Sequence, residues 1–381
     1  MLSKRHIAKL ARNMRKCRVS VTSIPIKRAN SGGALKKSLK LMAVVASLTL
    51  ITGVAVAPAS QAAKIKLCLA LDTGGVDDRS FNQGAWAGAQ ASTVSTAEYL
   101  PASSSADFAP NIKKFVDKGC ELIVGVGFAI SAEIVKSAKA NPKIKYAVVD
   151  DAGMDCDANW NCSAVPNVKG LTFQTDEAAF MAGYLSAGMT KTGKVATYGG
   201  APYPTVTIFM DGYARGVAYY NKQKGTSVKV LGWDTANPKA GSFVGNFSDQ
   251  NKALTMSKAF EQQGADIILP VGGNLGAPYA AASEKSKKSL TIWVDSDGYG
   301  LLTAGKSILL TTVVKEIGAS IKSVAADVAA KKFTGKSYVG TLANKGVSIA
   351  PYHDLNSQVP AKLKSEILKI KTGIISGTLK I

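Results

Sequence analysis

Histidine is nearly missing from this 381-residue chain: there are two, His6 and His353. Proton transfer near neutral pH and the common zinc sites both lean on histidine, so neither chemistry is well provided for. Cysteine is also scarce, five in all, and no pair has a common zinc-ligand spacing. No Gly-x-Ser-x-Gly element occurs, so the strained serine turn of many hydrolases is absent. No Gly-x-Gly-x-x-Gly follows the first apolar strand, which removes a dinucleotide-binding turn. The longest apolar run, Leu41–Ala57, is broken by Ser and Thr and falls short of the ~20 residues that span hydrocarbon.

Acidic residues are absent from residues 1–63, where twelve Lys or Arg stand. A basic segment, an apolar run and then Pro58-Ala-Ser-Gln-Ala-Ala63 form the pattern of a secretory signal with a long basic start. The expectation is removal on export, giving a product outside the cytoplasmic membrane, periplasmic or at the cell surface. Taking twelve charges from +21 leaves +9 for residues 64–381, which needs no nucleic-acid partner. A lipid anchor would require a cysteine just after the apolar run, and Cys68, behind Ile65-Lys66-Leu67, does not fit. In an oxidising compartment Cys156 and Cys162, flanking a polar loop, are a candidate disulfide.

The remaining 318 residues are too many for one compact core. Apolar β-branched runs (65–71, 121–126, 144–149, 194–198, 228–232, 266–270, 290–294) alternate with helix-period segments (111–118, 132–140, 177–189, 210–220, 252–263). Such alternation predicts an α/β fold of two doubly wound parallel-sheet domains with a ligand cleft between them. The expected division is a first lobe of 64–165 plus about 301–340, a second lobe of 166–300, and a tail, 341–381, packing on both. Asn167–Gln174 reads as a crossing strand. Ser307–Thr311 and a helix over Val313–Lys331 are expected to return to the first lobe.

In open α/β sheets ligands sit beyond the carboxyl ends of the strands. The loops there hold carboxylates (Asp72, Asp150, Asp295), glycines and aromatics, with one basic group, Lys315. Carboxylates accept hydrogen bonds from sugar hydroxyls, and aromatic faces cover a flat ring. The acids argue against a phosphorylated ligand. Asp77 and Asp78 also read as caps of a following helix.

The stretch Asp72-Thr-Gly-Gly-Val-Asp-Asp-Arg-Ser-Phe-Asn-Gln-Gly-Ala-Trp-Ala-Gly88 resembles the opening motif of the basic membrane protein family of ABC-transporter substrate-binding proteins, which includes bacterial purine nucleoside receptors. The resemblance continues in order through Val124–Phe128, Phe173–Gly183, Lys191–Val195, Gly264–Ile268, Val294–Asp297 and Thr311–Lys315. It implies a type I periplasmic-binding-protein fold closing on a nucleoside, purine favoured. On that resemblance Asp72 would bind the sugar side, Phe81 and Phe247 would stack on the base, and Asp150 would pair with its edge. Gly273, Asp295 and Lys315 would hold ribose hydroxyls, with Asn82 and Phe209 as further contacts. The implied partners are a nucleoside and an ABC permease, with the protein a monomer and no cofactor, metal or catalytic residue expected. A receptor-sensing role, a sugar ligand and a nucleoside hydrolase are the rival readings. The last is poorly served by a lone His353 in the tail.

Overall fold

The computed structural model describes residues 63–381. The expected export leader, residues 1–63, lies outside them except for Ala63. Two six-stranded sheets share one pattern. In chain order the first sheet contains β1 (Ile65–Leu71), β2 (Ser95–Leu100), β3 (Leu122–Val126), β4 (Lys145–Val149), β7 (Val168–Phe173) and β13 (Tyr338–Gly340). Its spatial order is β13-β7-β4-β3-β1-β2, all parallel. The second contains β8 (Lys194–Gly199), β9 (Lys229–Leu231), β10 (Ile267–Val271), β11 (Leu290–Asp295), β12 (Leu309–Lys315) and β14 (Val347–Ile349). Its order, β14-β12-β11-β10-β8-β9, repeats the first, with β14 antiparallel. A small hairpin, β5 (Met154–Cys156) and β6 (Cys162–Ala164), follows β4.

Double burial explains the apolar strands. In β1, Leu67, Leu69 and Leu71 enter one core while Cys68 and Ala70 enter the other. Helices α1 (Phe81–Gln90), α2 (Phe108–Asp117), α3 (Ser131–Ala140), α4 (Thr175–Met189), α5 (Pro204–Lys224), α6 (Gln250–Gln262), α7 (Ala277–Ser286), α8 (Gly298–Leu301), α9 (Ile317–Ala329) and α10 (Ala361–Ser376) cover the sheets. The edge strand β2, reading STAEYL, carries no apolar run, and periodicity alone passed it over.

Lobe membership differs from the expected boundaries. The strand Leu309–Lys315 does not return to the first lobe; it pairs with β11, Asp295 opposite Val314. Residues 168–173 pair with β4 and so belong to the first sheet, not the second lobe. It is the following helix that crosses each time. α4 leaves the first sheet and packs on α5, β12 and β14, while α9 leaves the second and packs on α1, β1, β3 and β4. The helix expected over Val313–Lys331 accordingly begins only at Ile317. A strand buried on both faces does not record which sheet it joins, so local pattern could not place these segments.

Both crossings rest on close helix contacts. A Cβ at Gly88 of α1 would stand 2.1 Å from the Gly318 Cα of α9, and one at Gly183 of α4 would stand 2.0 Å from the Tyr213 carbonyl oxygen of α5. Disulfides join Cys156 to Cys162 across the β5–β6 hairpin and Cys68 of β1 to Cys120, just before β3.

Candidate ligand-binding cleft

Parallel strands bring the carboxyl ends of both sheets to one cleft. Asp72 follows β1, Asp150 follows β4, Asp295 ends β11 and Lys315 ends β12. They line a cavity of about 300 Å³ between the lobes. Asp150 and Asp295 hold corresponding places in the two sheets, and both have left-handed backbones, φ 69° and 66°. Aspartate tolerates that region better than most side chains.

Lys315 sits at the centre. Its Nζ lies 2.7 Å from Asp150 Oδ1 and 3.6 Å from Asp295 Oδ1. Three rings surround the ammonium, with centroids at 4.8 Å for Phe81 and 5.5 Å for both Phe173 and Phe209. Burial pushes the Asp150 carboxyl up to about 6, against the opposing pull of Lys315. Burial likewise raises Asp72, while the Asn82 amide and the Gly74 N–H pull it back. With more acids than cations, the cavity suits a ligand rich in hydrogen-bond donors and repels phosphate.

A second wall is aromatic. Phe128 of the first lobe faces Tyr203 of the second at 5.4 Å between centroids, and Tyr203 lies 6.0 Å from Phe247. All three line the cavity. Such tilted rings offer an apolar face to a flat ligand group.

Eight of the nine residues singled out from the sequence line this cavity: Asp72, Phe81, Asp150, Phe209, Phe247, Gly273, Asp295 and Lys315. Asn82 stands behind it, 1% exposed, donating from Nδ2 to Asp72 Oδ1 at 2.7 Å. Asp78 acts as the expected helix cap, accepting from the backbone N–H groups of Ser80, Asn82 and Gln83. Burial nevertheless pushes it up to about 7. Phe128 and Tyr203 escaped notice as contacts. Both occupy strand-end loops, and that position was the available signal.

The family model described as ABC transporter substrate-binding protein PnrA-like matches residues 65–381. The chain belongs to this Bmp family. Among its relatives is the ABC transporter nucleoside-binding protein BmpA of Lactococcus lactis, 29% identical over 83% of this chain and 89% of the relative. Basic membrane protein A1 of Borrelia garinii is 28% identical over 82% and 86% of the two chains. Among solved structures, an ABC transporter solute-binding protein from Aeropyrum pernix superposes with a TM-score of 0.71 at 21% identity, covering 83% of this chain and 92% of that one. A transcriptional activator of the comK gene from Bacillus halodurans gives 0.64 at 20% identity, over 83% and 99%. These two likenesses establish the type I binding-protein fold. As a Bmp-family member the chain is a solute-binding protein of an ABC transporter, a class that works outside the cytoplasmic membrane with a small ligand and a permease. Among the described residues no helix is long and apolar enough to cross a membrane.

Proposed function

We propose that this Bmp-family protein captures a nucleoside, purine favoured, and delivers it as an exported monomer to its permease. One observation carries the reading: a single small cavity sets buried carboxylates and Lys315 beside the Phe128–Tyr203–Phe247 ring wall. Carboxylates and an ammonium together accept from and donate to ribose hydroxyls, and the rings cover a base. A relative 29% identical is described as nucleoside-binding, which supports the same ligand class. Asp72 and Asp295 grip the sugar side, Asp150 meets donors on the base edge, and Phe247 with Tyr203 stacks on the base. The leader at residues 1–63 directs export.

Calorimetry of residues 64–381 with purine and pyrimidine nucleosides, free bases, ribose and hexoses tests this. Guanosine, inosine or adenosine is expected to bind where ribose alone does not. Asp150→Ala is expected to weaken binding at least about tenfold, the cost of a lost charge-assisted bond, with the fold retained. Binding of sugars alone would leave the receptor role and overturn the ligand. Unchanged affinity in the variant would discard the assigned site.

A further inference from the structure

We infer that Ser80 is a positioning residue for Asp295 and the latch that keeps the lobes closed. Ser80 is fully buried, at the entrance to α1 in the first lobe, and does not line the cavity. Its Oγ lies 2.8 Å from Asp295 Oδ2 and 2.8 Å from the Val294 carbonyl, both in the second lobe. A hydroxyl has one proton, and the carboxylate is the stronger acceptor.

Three more bonds cross at the same place. Ser296 Oγ donates to the Ser80 carbonyl at 2.9 Å, Trp293 Nε1 donates to the Arg79 carbonyl at 3.0 Å, and Arg79 Nη1 donates to Thr303 Oγ1 at 3.1 Å. The seam is therefore concentrated on the end of β11 that carries Asp295 and on the loop beyond it. On the first-lobe side it is braced from behind. Asp78 takes the N–H groups of Ser80, Asn82 and Gln83, and Arg79 is bent into a left-handed conformation, φ 55°.

This arrangement couples grip to closure. Asp295 has Oδ2 on Ser80 and Oδ1 towards Lys315, so its orientation in the cavity depends on a residue of the opposite lobe. Separating the lobes breaks the Ser80 bond and frees the carboxylate to turn. The same short segment places Phe81 over Lys315 and Asn82 on Asp72, so its docking sets three contacts of the cavity at once.

The inference rests on reading this cavity as the ligand cleft, and the test separates the two. Small-angle scattering of the protein saturated with a purine nucleoside is expected to give the closed dimensions for wild type and a larger radius of gyration for Ser80→Ala. Asp295→Asn, which weakens the same bond from its other end, is expected to expand the protein likewise, and Ser80→Thr, which keeps the hydroxyl, to stay closed. For a nucleoside that binds wild type, Ser80→Ala is expected to raise the dissociation rate about tenfold while the association rate moves less than about threefold. In an Asp295→Asn background the Ser80→Ala step should change dissociation less than about twofold, because the coupled partner is already altered. Unchanged dimensions and dissociation in Ser80→Ala would overturn the latch. So would a full tenfold effect that persists in Asp295→Asn, since the serine would then act without the carboxylate. If no nucleoside binds wild type, the ligand assignment fails, and the scattering comparison is made with ribose or the free base, whichever binds: expansion of Ser80→Ala supports the latch and unchanged dimensions refute it.

Discussion

Lys315 and Asp150 form an ion pair across the cleft, Nζ to Oδ1 2.7 Å, one residue from the second lobe and the other from the first. Both side chains are almost wholly buried, 2% and 10% exposed. A buried pair of this kind adds little over an apolar pair, but breaking it strands a charge. Lys315→Met should therefore lower the unfolding free energy by about 3–5 kcal/mol near pH 8. The loss should shrink near pH 5.5, where the orphaned Asp150 can take up a proton. Urea titrations at the two pH values check this, and equal losses at both would contradict it.

The buried carboxyls also set the pH response of the unmodified protein. Asp78 is raised to about 7 and Asp150 to about 6, against 3.8 in a solvated chain. A folded state that binds the proton more tightly is stabilised by acid. This contribution is complete below 3.8 and is lost as pH rises through 6 and 7. Stability should therefore fall between about pH 4 and pH 7, and Asp78→Asn, which cannot titrate, should flatten the slope. Melting curves across that window measure both. Wild-type stability that climbs with pH would speak against burial as the cause.

The two disulfides close loops of very different span, 52 and 6 residues in sequence separation. Cross-linking the longer loop removes more freedom from the unfolded chain. Replacing Cys68 and Cys120 by alanine should cost about 2–4 kcal/mol, and replacing Cys156 and Cys162 clearly less. Non-reducing peptide mapping should recover the pairs 68–120 and 156–162, and a denaturant series should rank the variants in that order.

Glycines at the helix crossings have no room to grow. Gly183→Ala would drive a methyl into the Tyr213 carbonyl, so a loss of about 1–3 kcal/mol is expected. Gly300 faces open space, and Gly300→Ala should be neutral or slightly stabilising. Thermal unfolding of the two variants side by side tests the contrast.

Much of the cleft was legible in the sequence because function in this architecture follows strands. Asp72, Asp150 and Asp295 stand directly at strand ends, and a continuous apolar run marks a strand by itself. The aromatic contacts were harder to assign. Phe81 lines the cavity with its ring centroid 4.8 Å from the Lys315 ammonium, a contact between lobes that local pattern does not show. Tyr203 and Phe128 meet only when the two lobes are brought together.

The sequence by itself determined the alternation of strands and helices, the two-lobed plan and the strand-end loops that carry the charged groups. Each of these depends on periodicity or on neighbours a few residues apart. Tertiary structure alone decided that β7 and β12 stay with their own sheets while α4 and α9 cross. It also decided that Lys315 pairs with Asp150, 165 residues away, and Ser80 with Asp295, 215 away. Contacts at such separation leave no local signature, because a buried strand or a lone serine looks the same whichever partner it meets.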